Sequence, residues 1–316
     1  MIETETLYPH AINRGKAMNK RFLALIVCAL LLVPAVASAD NDARDYIAAP
    51  PGTILSMLYY FHVTADSLNA DGDKIADVDF TQNLGLWREV YYFQAGPLLI
   101  APQLIVPFGN ASLDIPALNS NASSSGIGDI ILLGTVFLVN KPSQKMYLGF
   151  TPYFFFPTGA YNDEQTVNLG SNRFTFREEL NFTKGWNLFT DHNLYAEVTL
   201  GGDFYTTNTD YLDGHHLTTA PLFNLEGHLS YDLTANWWIS ADFYGHWGGG
   251  QSIDGASVDD STVNSQTIGG TLAYNLTPGW QVLFQYKGDV GNQNSLPTQA
   301  FQVRLLYATD FGKFIK

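Results

Sequence analysis

The chain has 316 residues, with 16 Lys and Arg against 30 Asp and Glu, a formal net charge of −14. That balance argues against nucleic-acid binding, which needs a basic footprint. Hydrophobic residues make up 46%, aromatics 14% and charged residues only 15%, against about 25% charged in ordinary soluble domains.

Residues 1–17 are polar and look unlike any targeting signal. Met18-Asn19-Lys20-Arg21, the apolar run from Phe22 to Val33 and Ala37-Ser38-Ala39 follow in the order of a secretory signal peptide. The run is shorter than the roughly 20 residues that span a bilayer. Translation is therefore expected to start at Met18, with 1–17 a mis-assigned start, and cleavage is expected after Ala39. Cys28, the sole cysteine, falls inside the signal, so no thiol, disulfide or cysteine-based metal site is expected from Asp40 on. Residues 1–39 hold four basic and two acidic side chains, which leaves 12 basic against 28 acidic, net −16.

Residues 40–51 read as a short periplasmic segment ahead of strands that fill 52–312. The first strand is expected over Gly52–Thr64, followed by a polar stretch, Ala65–Asp73. A second lies within 74–95, with Trp87, Tyr91 and Phe93 on one face, and Gly96-Pro97 turns into Leu98–Val106. Pro107–Ser125 reads as a long loop. Gly126–Val139 is a strand apolar on both faces, and Asn140–Gln144 turns into Met146–Phe156. Pro157–Ser171 is again long and polar.

Arg173–Trp186 alternates well, with Phe174, Phe176, Leu180 and Phe182 opposite Arg173, Arg177, Glu179 and Asn181. Glu178 is out of pattern on the apolar face. Asn193–Tyr205 alternates again, and Thr206–Thr218 is a loop. Phe223, Leu225, Leu229 and Tyr231 then oppose Asn224, Glu226, His228 and Ser230. Leu233–Asn236 turns this strand into Trp237, Ile239, Ala241 and Phe243, opposite Ser240, Asp242 and His246. After the loop Gly248–Thr262 come a hairpin through Leu276–Gly279 and a last strand ending near Phe311. Period two means one apolar and one polar face per strand.

About twelve strands result, joined alternately by short turns and longer polar loops. No stretch beyond the signal is long and apolar enough for a spanning helix. These features predict an all-β, transmembrane, antiparallel up-and-down barrel, with apolar side chains toward lipid and polar ones toward a lumen. Export and closure together place such a chain in the bacterial outer membrane. The alternating terminal strand with Phe311 suits the barrel insertion machinery.

Three blocks carry a family resemblance: Gly126-Ile127-Gly128-Asp129, Pro157-Thr158-Gly159-Ala160-Tyr161, and Leu169-Gly170-Ser171-Asn172-Arg173-Phe174-Thr175-Phe176. In order and spacing they resemble the outer-membrane transporters of the meta-pathway of phenol degradation. The resemblance implies a barrel channel for small hydrophobic or aromatic molecules. The competing expectations are a structural or adhesive barrel acting through its loops and, behind it, a barrel hydrolase.

The expected lumen face carries Arg173, Arg177, Glu179, Glu197, Asp203, Glu226, His228, Asp242, His246, Lys287 and Arg304. These either line a selective pore or pair across strands to fill the barrel. His228, Glu226, Asp242 and Ser230 together suggest an acid–base set, but a triad is defined by geometry rather than sequence. His215-His216 lacks a third ligand for a metal. Tyr153–Phe156 and Trp237-Trp238 read as interface girdles. No enzyme activity, cofactor or metal is expected; the partners are outer-membrane lipid, apolar solutes and the insertion machinery.

Overall fold

The computed structural model describes residues 40–189 and 192–310. The expected signal, the segment 1–17, and Phe311 with the tail behind it lie outside the described residues.

Twelve strands form the wall: β1 Thr53–Ala70, β2 Asp73–Tyr91, β3 Leu98–Ile115, β4 Ile130–Lys141, β5 Met146–Phe156, β6 Thr175–Phe189, β7 His192–Tyr205, β8 Leu222–Asp232, β9 Trp237–Gly248, β10 Val263–Thr277, β11 Trp280–Gln293 and β12 Gln299–Asp310. Each pairs antiparallel with its chain neighbours. The sheet closes because β1 also pairs β12, from Thr53 opposite Asp310 to Thr64 opposite Gln299. Closure removes the free edges that strands of this length would otherwise present.

The outer face is apolar around the whole circumference. Leu58, Phe182, Val198, Leu229 and Ile268 are all about half exposed or nearly so. A protein in water does not sustain so large a continuous apolar surface; lipid does. Aromatic pairs mark both rims. Trp237 lies 4.3 Å from Tyr274 and Trp280 lies 4.7 Å from Tyr307, ring centre to ring centre, at the short-turn end. Phe156 against Phe174 and Phe223 against Trp247 sit at the long-loop end. The girdle reading of Tyr153–Phe156 and Trp237-Trp238 needs correction by parity: Phe154 and Trp237 face outward, whereas Tyr153 and Trp238 are buried inside.

Two expected loops are strands. β1 and β2 run through 65–73 with only Asp71-Gly72 as the turn, and β3 runs to Ile115 before pairing back with Ser120–Ile127. The reason is burial. Ala111, Leu113 and Ile115 alternate with Asn110, Ser112 and Asp114. They join Val63, Leu68, Val78 and Phe80 in an apolar cluster capped by Val167 and Leu296. The expected loops 206–218 and 248–262 also contribute short strands, which form a separate four-stranded sheet over the same end.

The interior is divided. From β1 to β5 its core is mostly apolar, with Tyr59, Val90, Leu99, Ile105, Ile131, Leu133 and Phe137 buried. From β6 to β12 most of its buried side chains are charged or polar. This explains why β4 is apolar on both faces: one side meets lipid, the other an apolar half-lumen. Glu178 stands exposed on the outer face, opposite Pro152 and Gly202; nothing in the structure explains a charge there.

Candidate functional site: a lumen filled by the segment before the first strand

Residues 40–49 pack inside the barrel, not below it as a periplasmic segment would. Two successive turns, closed by Asp45 N–H to the Asp42 carbonyl and Ile47 N–H to the Arg44 carbonyl, make the segment compact. Arg44 takes a positive φ of 74° to allow this.

The segment is held from nearly every side. Asp42 accepts from Gln302 at 2.8 Å and from Arg304 at 2.7 Å. Asp45 accepts from Arg88 at 2.7 Å and Arg304 at 3.2 Å. Arg44 donates its amide to Glu197 and its Nε to Ser230, and pairs with Asp232 at 2.7 Å. Its guanidinium lies 4.4 Å from the centre of the inward-facing Trp238 ring. Asn41 donates to Glu179 and Glu226, and the Tyr46 hydroxyl donates to Glu179. Asp40 meets Lys287 at 2.7 Å and His246 at 3.8 Å. Burial alone would raise the carboxyls of Asp40 and Asp45. Lys287 in the first case, and Arg88 with Arg304 in the second, outweigh it and hold both below the usual carboxylate range. Asp42 goes the other way: burial and the nearby Asp45 raise it despite Arg304.

The eleven candidate residues are all turned inward, and Glu179, Glu197, Glu226, His228, Asp242 and Arg304 are packed in the filled part of the lumen. Nine are buried, and His246 and Lys287 are half-buried. Arg177 pairs with Asp203, and His228 pairs with Asp242 at 2.9 Å. Ser230 is bonded to Arg44 and has no hydrogen bond to His228, so the sequence's Ser-His-acid set is not assembled as a triad. His215 pairs with Asp254, and no metal-ligand cluster occurs among the described residues.

Beside the segment a void of about 40 Å³ remains, bounded by Tyr59, Leu86 and Leu133 on one side and by Tyr244, Gln285 and Gln302 on the other. Above it, toward the long-loop end, opens a cavity of about 300 Å³. Phe61, Leu84, Leu86, Pro107, Phe155 and Leu169 form one wall, while Arg173, Arg177, Asp203, His246 and Lys287 form the other, with Asp40 also lining it.

The loop 157–174 shapes this cavity, and the three family-like blocks meet at its root. Asp129 accepts from the Gly159 amide, the Ser171 amide and the Ser171 hydroxyl. The Ala160 amide donates to the Ile127 carbonyl and the Gly170 amide to the Ala160 carbonyl. A Cβ on Gly159 would stand 2.6 Å from the Gly170 Cα, so the crossing requires glycine. Arg173 leaves this knot directly into the cavity wall.

A family model described as "Putative MetA-pathway of phenol degradation" matches residues 64–305. The chain belongs to that family. Of solved structures similar to this phenol-degradation family member, an outer membrane channel from Pseudomonas putida F1 is 26% identical. The match covers 85% of this chain and 100% of that one, with a TM-score of 0.76. The transport unit of the autotransporter AIDA-I from Escherichia coli is 12% identical over 94% of this chain and 99% of that one, TM-score 0.55, which is a likeness of fold alone. No curated protein matches the sequence. Family and fold together support an outer-membrane channel.

Proposed function

We propose that the barrel passes small apolar or aromatic molecules across the outer membrane, and that they enter through the cavity at the long-loop end. The observation that carries this reading is the division of the cavity. Its apolar wall can accept an aromatic body while the opposite wall keeps polar groups ready. Pockets for small molecules combine apolar surface with a few placed polar groups in this way. The eleven internal charged and histidine residues then act in two roles. Arg173, Arg177, Asp203, His246 and Lys287 face the solute, and Glu179, Glu197, Glu226 and Arg304 hold the N-terminal segment, with His228, paired to Asp242, standing behind Glu226. That segment stands below the cavity, so onward passage requires it to shift.

The test is entry of N-phenylnaphthylamine into intact cells, read as the fluorescence gained when it reaches the inner leaflet of the outer membrane. Expression of the wild-type protein is expected to speed entry, and deletion of residues 40–47 to speed it further. Entry no faster than in cells lacking the protein, for both forms, overturns the reading.

A further inference from the structure

Among the cations on the cavity's wall, Arg173 is set apart by its lack of a counter-ion. Arg177 is bound by Asp203 and Lys287 by Asp40. Arg173 has no carboxylate at ion-pair distance among the described residues. Its guanidinium lies 4.4 Å from the centre of the Tyr205 ring, one Nη donates to Thr219 Oγ1, and its Nε is buried with no partner. The residue is 8% exposed. A buried guanidinium carries five donors and a permanent charge, and leaving it uncompensated is costly.

The carboxylates of the cavity are already engaged. Asp203 takes Arg177, Asp40 takes Lys287, and Asp129 closes the loop knot. Asp289 accepts from Thr267, Asn292 and the Thr298 amide. The cavity thus holds one unspent positive charge facing an apolar wall. Burial presses the Arg173 guanidinium below its ordinary value, against weaker opposition from Tyr205, Asp129 and Asp203, as expected of a cation short of a partner.

We propose that this cavity is a binding site for an amphipathic organic monocarboxylate, its carboxylate held by Arg173 and its aromatic body against Phe61, Leu84, Leu86, Phe155 and Leu169. Planar guanidinium matches carboxylate in a two-pronged bond. The Tyr205 ring and Thr219 fix the plane of the fork in advance, which lowers the ordering cost of binding. The inference rests on the channel reading and deepens it by naming the head group of the solute.

The test uses the detergent-purified protein and two probes of the same shape, 4-ethylbenzoate and 4-ethylbenzamide, with affinities from calorimetry. Wild type is expected to bind the carboxylate about tenfold tighter, the scale of one charge-assisted bond. Arg173→Gln is expected to bring the two affinities within about twofold by weakening the carboxylate alone, while Arg173→Lys keeps part of the preference. Circular dichroism checks that each variant keeps its strands. Equal affinities in wild type overturn the proposal, and so does a preference that survives Arg173→Gln or an absence of binding by either probe. The wild-type comparison decides even where a variant does not fold. Rapid N-phenylnaphthylamine entry without a carboxylate preference leaves the channel and removes this site; loss of both removes the channel as well.

Discussion

Asp42 and Arg304 are 262 positions apart in sequence and 2.7 Å apart in the lumen. The same guanidinium nitrogen reaches Asp45 at 3.2 Å, and the other terminal nitrogen donates to Gln281. One residue of the last strand thereby ties down the segment that precedes the first.

Arg304→Gln is expected to loosen the segment. Removing one member of a buried ion pair typically costs about 3–5 kcal/mol because the partner is left buried and charged. Here both Asp42 and Asp45 lose a cation, although Arg88 still serves Asp45. Single-channel conductance in planar bilayers should rise toward that of a form lacking residues 40–47. Conductance identical to wild type would show that Arg304 does not hold the segment.

Acidification should act through Asp40 and Asp45. Both carboxyls are depressed in the folded protein, so their contribution is complete above the ordinary value of 3.8 and is lost as pH falls below it. Asp42 has the opposite sign, since burial raises it and the folded form gains as it takes up a proton. Two groups oppose one, and the net expectation is opening below about pH 3.8. The conductance ratio of wild type to the 40–47 deletion, measured down through that value, reads this directly. A ratio that stays flat or falls as the pH passes below it contradicts the expectation.

The orientation of the barrel follows from the length of its connections, because bacterial barrels keep short turns on the periplasmic side. Ser123 and Thr277 are both exposed and stand at opposite ends. On intact cells a membrane-impermeant maleimide should label Ser123→Cys and spare Thr277→Cys. The reverse pattern inverts the barrel and places the cavity toward the periplasm.

Alternation makes most of the wall legible in the sequence: Leu229, Ala241 and Phe182 fall on the lipid face by parity alone. Composition misleads where it masks that parity. Ala111, Leu113 and Ile115 alternate within a stretch whose Asn and Ser content suggests a loop, and those three apolar positions are the signal of the strand. Which side chains of a strand turn inward follows from parity, but their partners do not. Asp40, Asn41, Asp42, Arg44 and Asp45 have no period and precede the first strand, so no local pattern links them to Glu179, Glu197 or Arg304. Such contacts are set by closure of the barrel, which sequence spacing does not encode. Arg173 is visible as a lumen charge, while its lack of a counter-ion depends on the positions of all the others.

Leu229 and Glu226 lie three residues apart on β8 and face different media. Leu229 is 52% exposed, flanked by Ala196 and Ala241, so its side chain meets lipid. An arginine there should cost about 2–4 kcal/mol if it lies near the bilayer midplane. Glu226 is buried and accepts from both the amide and the side chain of Asn41, with His228 Nε2 3.9 Å away. By alternation alone, Glu226→Arg would leave folding largely intact. The packed lumen changes that: an arginine would displace Asn41, so the segment rather than the wall should yield. Leu229→Arg is therefore expected to lower the urea midpoint of unfolding in detergent or liposomes with conductance unchanged in the molecules that do insert. Glu226→Gln, which keeps shape and loses charge, should do the opposite, raising conductance with a small change in midpoint. If Glu226→Gln lowers the midpoint as far as Leu229→Arg and leaves conductance as in wild type, the N-terminal segment is part of the barrel's stability and not a movable occupant of its lumen.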